Sequence, residues 1–169
     1  MTQTRLSHLL KSSFRLSILL SILAFVIFVR IKFALYEVVG TSMFPSIVNG
    51  DMSIVRITQD VKRGDIIVFK YKGASLCKRV VGIPGDTVFI YDDHDIVYDK
   101  NGQIVDDEKH YVLPWLARSG VNVEQWNVSK DQLFVLGDAR LIALDSRIFG
   151  TIPAKAVIGK IVWILGRKP

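Results

Sequence analysis

Ser42, in Gly40-Thr41-Ser42-Met43-Phe44-Pro45, and Lys78, in Cys77-Lys78-Arg79-Val80-Val81-Gly82-Ile83-Pro84-Gly85-Asp86, are the side chains whose types and settings suit nucleophilic chemistry. A serine hydroxyl is a poor nucleophile until a base accepts its proton. None of the three histidines (His8, His94, His110) lies in a segment that reads as the setting of a catalytic histidine, which leaves a lysine for that task. Lysine works as a base only when neutral, and its ordinary pKa of ~10.4 keeps it charged at pH 7 unless burial penalises the ammonium form. Strand alternation puts Leu76, Lys78 and Val80 on one face and Cys77, Arg79 and Val81 on the other. Lys78 then points with two aliphatic residues, while Arg79, which does not deprotonate, points away. Each position also has a bland reading: Ser42 as a turn residue before Pro45, and Lys78 as a surface lysine on an edge strand.

The remaining reactive residues suggest little chemistry. Cys77 is the only cysteine, which excludes an internal disulfide and any cysteine-based metal cluster. It reads as a small core residue that does not share a pocket with Lys78. Asp92, Asp93, His94 and Asp95 read as a solvated hairpin tip rather than metal ligands, because no matching cluster follows. No cofactor and no metal are expected.

Two elements must position the pair. The first is a membrane anchor. Residues 16–29 are apolar apart from Ser17 and Ser21, with Arg15 before them and Arg30 and Lys32 after. A helix over that run reaches only ~21 Å, short of a ~30 Å hydrocarbon core, so the span is expected to continue through Ile31, Phe33, Ala34 and Leu35. No small-x-small cleavage site follows it, which argues against a removed secretory signal. Arg5, Lys11 and Arg15 precede the span without an acid nearby, so the positive-inside bias favours a cytoplasmic N-terminus. The expected layout is a cytoplasmic basic segment at 1–15 and a transmembrane anchor at 16–36, with everything later on the outer face of the membrane. The net charge of +6 belongs to this end: residues 1–32 hold five Lys or Arg and no acid, leaving 17 basic against 16 acidic residues. The body is nearly neutral, and a nucleic-acid partner is not expected.

The second element is a β body. Gly-Asp pairs at 50–51, 64–65, 85–86 and 137–138 punctuate it, and the short β-branched or aromatic runs 53–57, 66–71, 76–81, 88–91, 133–136 and 157–165 read as strands. The expected fold class is mainly β, an antiparallel catalytic core at 37–91 and 131–169. Residues 92–130, crowded with Asp, His, Asn and Lys, read as a smaller inserted β lobe with hairpin signals at Lys100-Asn101-Gly102 and Ser119-Gly120. Residues 113–118 could form a turn or two of helix.

Several blocks taken together resemble one family. Gly40-Thr41-Ser42-Met43-Phe44-Pro45 with Asn49-Gly50-Asp51 is similar to the serine box of type I signal peptidases, and Lys78 through Asp86 to their lysine box. Leu136-Gly137-Asp138-Ala139-Arg140 and Leu144-Asp145-Ser146-Arg147-Ile148-Phe149-Gly150 resemble the final box, and Arg63-Gly64-Asp65-Ile66-Ile67-Val68-Phe69 also fits. The blocks run in the family's order over most of the body. The resemblance implies a Ser42 nucleophile and a neutral Lys78 general base, cleaving signal or leader peptides from exported precursors after small residues. It implies an oxyanion and substrate-binding segment at Gly40, Thr41, Ser42 and Met43, with Asp138, Asp145, Ser146 and Arg147 in support. Asp145 and Arg147 are expected to form an ion pair, and Met43 and Phe44 to add to an apolar surface near the bilayer.

Two departures from the family pattern stand out. A serine that some relatives carry two residues before the nucleophile is Gly40 here. The usual Gly-Asp-Asn-Arg and its following serine become Gly137-Asp138-Ala139-Arg140 and Ala143, so the hydroxyl that commonly orients the lysine is missing. Small size, one span and this altered box also resemble the specialised peptidases of conjugative transfer systems. Ser75-Leu76-Cys77-Lys78 spells the Ser-x-x-Lys of penicillin-recognising enzymes without their further boxes, and self-cleaving repressor proteases would carry a DNA-binding module where the anchor lies. A different class of reading is a catalytically silent, membrane-anchored β-domain that scaffolds a secretion or pilus assembly.

Overall fold

The computed structural model describes residues 3–91, 94–107 and 124–165. The expectations for Asp92, Asp93, His110, residues 113–118 and Ser119-Gly120 lie outside them.

Helix α1, Gln3–Lys32, is followed at once by strand β1, Phe33–Glu37. Its apolar stretch is Phe14–Lys32, 19 residues, long enough as a helix to cross ~28 Å. Phe33, Ala34 and Leu35, through which the span was expected to continue, are extended.

The body, residues 35–169, forms a separate compact unit. Its main sheet has seven strands in the order β1-β2-β11-β3-β4-β9-β10, with β2 at Met52–Ile57, β3 at Ile66–Tyr71, β4 at Ala74–Gly82, β9 at Gln132–Leu136, β10 at Ile152–Pro153 and β11 at Val157–Leu165. A second sheet, β7-β6-β5-β8, is built from β5 (Thr87–Tyr91), β6 (His94–Tyr98), β7 (Ile104–Asp107) and β8 (Glu124–Asn127). The strand pairings around the core are antiparallel, as expected.

Strand β9 shows how the two sheets share a core. Alternation sends Leu133 and Val135 to one cluster with Ile67, Phe69 and Val80, and Phe134 and Leu136 to another with Val81, Val88, Ile90 and Val97. The second cluster therefore joins residues of both sheets. The small lobe starts at β5, not at residue 92 as expected, because Val88 and Ile90 pair into its sheet while packing against β4 and β9. Burying each such Val, Leu or Phe contributes about 1.5–3 kcal/mol, which holds β4 and β9 rigidly against each other.

Candidate active site

Lys78 sits in β4, opposite Ile67 of β3, with only 3% of its surface exposed. It is thus a buried lysine in an interior strand, not the edge lysine of the bland reading. Ser42 lies in the loop between β1 and β2. That loop is closed by Val38 N–H donating to the Asp51 carbonyl at 2.9 Å and Gly50 N–H donating to the Val38 carbonyl at 2.8 Å. Inside it Gly40, at a φ of 102° that favours glycine, donates its N–H to Asn49 Oδ1 at 2.7 Å. Met43 and Ile47 are buried at 1% and 0% exposure and pin the loop to the body.

The loop brings the Ser42 hydroxyl to Lys78. The Nζ–Oγ distance is 2.7 Å, and Nζ also donates to the Cys77 carbonyl at 2.9 Å. Burial lowers the Lys78 pKa from its ordinary value, opposed by Cys77, Asp145 and Asp138 as negative charges. The opposition from Cys77 is absent near neutral pH. Its thiol, itself desolvated, is pushed up to about 12 and stays uncharged. The neutral amine is therefore favoured relative to a lysine in water.

The final box closes the site from the other side. Ala139 N–H donates to the Ser42 carbonyl at 3.0 Å. A Cβ on Gly137 would lie 2.6 Å from that same carbonyl oxygen and 2.3 Å from Ala143 Cβ, so only glycine permits the approach. Asp145 is fully buried and caps the one-turn helix α2, Ser146–Phe149. It accepts from Gly137 N–H at 3.0 Å, from Arg147 Nε at 2.9 Å and from Arg147 Nη2 at 2.9 Å, and Arg147 reaches on to the Arg140 carbonyl. The Ser146 hydroxyl accepts from Val135 N–H of β9 at 2.9 Å. Asp138 receives Arg79 through two bonds of 2.8 and 2.6 Å. Arg79 also donates to the Gly64 carbonyl and to Ser46 Oγ of the serine loop.

A cleft of about 210 Å³ opens at the pair, lined on one side by residues 36–39 and on the other by Ser75, Leu76, Cys77 and Lys78, with Val68 and Ser42. Cys77 thus lines the same cleft as Lys78, contrary to the expectation that they share no pocket. The lysine bends back to the Cys77 carbonyl, so alternation of Cβ directions does not separate them. A roomier hollow of about 590 Å³ on the small lobe, lined by Phe89, Tyr98, Asp99 and Lys100 among others, shares none of its described lining residues with this cleft.

Of the residues singled out from sequence, Ser42 and Lys78 are in contact, and Asp145 is paired with Arg147. Thr41 is exposed next to Ser42, and its carbonyl accepts from Phe44 N–H at 3.0 Å. Met43 differs from expectation: it is buried, and only Phe44 of that pair reaches the surface. The Gly40 N–H is likewise committed to Asn49 within the loop, not directed to the cleft. Sequence reasoning missed the Cys77 carbonyl, the Ala139 N–H and Arg79. The first two are backbone groups and carry no side-chain signal; the lysine box contains Arg79 but not its partners.

The model of the family "Signal peptidase, peptidase S26" matches residues 11–165. The chain belongs to the S26 signal peptidase family. It is 35% identical to signal peptidase I of Bacillus caldolyticus over 143 residues, covering 76% of this chain and 77% of that one. It is 30% identical to signal peptidase I V of Bacillus subtilis, covering 85% and 94%. The crystal structure of a signal peptidase I from Enterococcus faecalis matches with 28% identity and a TM-score of 0.45 over 60% of this chain and 96% of that one. An S26 signal peptidase is a membrane-associated serine endopeptidase whose substrates are precursors with signal peptides, and this member carries the apolar helix at its N-terminal end. The silent-scaffold reading is not favoured.

Proposed function

We propose that Ser42 is the nucleophile and neutral Lys78 the general base with which this signal peptidase cleaves precursors after small residues, at the outer face of a single-pass membrane anchor. The observation that carries the reading is the 2.7 Å contact between a serine hydroxyl and a lysine amine held in a 3%-exposed strand position. Lys78 takes the Oγ proton as Ser42 attacks the scissile carbonyl and returns it to the leaving amine. Among the described residues the Ser42 N–H has no acceptor, so it is free to stabilise the developing oxyanion. The precursor lies extended between residues 36–39 and 75–78, where the small cleft volume favours small side chains beside the scissile bond. Asp145 and Arg147 act at one remove: they fix Gly137 and hence the approach of the final box to Ser42.

The basic N-terminal flank of the anchor supports a cytoplasmic N-terminus with the β body outside. Incubating the detergent-solubilised chain with an exported precursor tests the dyad. Ser42→Ala and Lys78→Ala should each abolish cleavage, and cleavage by either at the parent rate would refute the assignment. A conjugative specialisation is the narrower alternative; deletion of the gene that blocked only pilin processing would favour it over a general role.

A further inference from the structure

Strand alternation gives the small sheet two faces of different character. Val88, Ile90 and Val97 point into the core shared with β4 and β9, with Trp126 packed against them. The alternate residues Thr87 and Phe89 of β5, Tyr98 of β6 and Gln125 of β8 face the other way, and together they line the hollow of about 590 Å³. Phe89 and Tyr98 meet there edge to face, their ring centroids 5.5 Å apart at 80°. Polar groups surround the two rings. Thr87 Oγ1 and Gln125 Nε2 donate to Asn127 Oδ1 at 3.1 and 3.3 Å, which orients both side chains before any ligand arrives. On the other flank Asp99 Oδ1 accepts from the N–H groups of Asn101 and Gln103 at 2.8 and 2.9 Å, so the turn that carries Lys100 is fixed as well.

We infer that this hollow binds a neutral pyranose oligosaccharide, with a sugar ring laid on Phe89 and Tyr98 and its hydroxyls met by the polar rim. The volume falls within the range of small-molecule sites, and the rim is set in advance, so little ordering cost opposes binding. A pyranose has an apolar C–H face edged by hydroxyls. The two aromatic rings suit that face, and the oxygens of Thr87, Gln125 and Asp99 suit the O–H donors around it. Charge selects a neutral ligand: Asp99 and Lys100 sit side by side on the rim with opposite signs, so an anion gains no net attraction. A peptide strand is disfavoured because the floor is a sheet face, where the backbone of β5 is already paired to β6 and β8. A proline-rich peptide presents mostly carbonyl acceptors, for which a rim of acceptor oxygens is a poor match. The described lining is separate from the cleft at Ser42, so occupancy calls for no change in that site.

The test titrates the full chain with cellotriose and follows binding by saturation-transfer NMR, in a phosphocholine detergent so that no glycoside head group competes. Binding should be seen by about 10 mM, the weak end of small-ligand affinity, with transfer strongest to the ring C–H protons that lie on the aromatic side chains. Phe89→Leu keeps the apolar bulk but removes the ring, and should weaken binding at least about tenfold. Gln125→Ala removes an exposed rim amide without touching the core, and should weaken binding about threefold. Absence of binding up to the highest concentration would overturn the proposal, as would undiminished affinity in the folded Gln125 variant. Tighter binding of trigalacturonate, or of a proline-rich peptide, than of cellotriose would overturn the choice of a neutral sugar. Binding needs no turnover, so the outcome stands apart from the Ser42–Lys78 assignment.

Discussion

The carbonyl oxygen of Ser42 and the backbone N–H of Ala139 are joined by a 3.0 Å hydrogen bond, which ties the loop after β1 to the loop after β9 across 97 positions of sequence. The backbone is thus held at Ser42, and its hydroxyl is positioned by Lys78 without help from the substrate. The bond exists only because Gly137 lets the two loops approach.

Gly137→Ala tests that approach. The added methyl would meet Ser42 O and Ala143 Cβ at distances no packing tolerates, so one loop must move. Overpacking of this kind costs about 1–3 kcal/mol, so the melting temperature should fall modestly. The rate constant for cleavage should fall at least about tenfold, because displacement of the nucleophile by a fraction of an ångström spoils its alignment. Parent-level turnover would show that the Ala139 tether is dispensable.

Lys78→Met should lose about 100- to 10,000-fold in turnover, the usual worth of a general base. Lys78→Arg should be equally inactive, since a guanidinium stays protonated. In the parent, activity should rise with pH as the amine deprotonates, and do so below the range of an ordinary lysine because burial lowers the pKa. A rate that is flat from acid to alkali would argue against a lysine base.

The same shift has a stability consequence. Between the lowered native pKa and the unfolded value of 10.5, the unfolded chain holds one proton more than the native one, so stability rises with pH across that window. Below the native pKa the full cost of burying the charge is felt. Lys78→Met should therefore raise the melting temperature, and raise it more at low pH than near pH 10, as scanning calorimetry in detergent can show.

Asp145→Ala should destabilise the body by about 3–5 kcal/mol, the typical result of stripping one partner from a buried ion pair. It takes from Arg147, at 17% exposure, its carboxylate and from the Gly137 N–H its acceptor, while Arg147 keeps its bond to the Arg140 carbonyl. Ser146→Ala should cost less, about 1–3 kcal/mol, because it strands only the Val135 amide. Chemical denaturation that ranked the two variants the other way would contradict this account of the final box.

Ala143→Ser would restore the hydroxyl that family members commonly place near the lysine. The amine already has an acceptor in the Cys77 carbonyl, so turnover should change by less than about tenfold, the worth of one neutral hydrogen bond. A larger gain would mean that the carbonyl does not hold Lys78 well enough.

The sequence alone determined the strands and the candidate pair. Runs such as 66–71 and 157–165 matched β3 and β11 residue for residue, because β-branched composition and Gly-Asp turns are local signals. Ser42 and Lys78 were legible because their boxes are short and specific. What holds the amine was not, since the acceptor is the Cys77 carbonyl, a group every residue possesses. Apolarity does not distinguish a helix from the strand that begins at Phe33, which only pairing within the sheet decides. Nor could it tell buried Met43 from exposed Phe44, or which apolar residues of the final box turn outward. Those outcomes depend on which surfaces meet when distant segments pack, and a long-range contact leaves no trace in local composition.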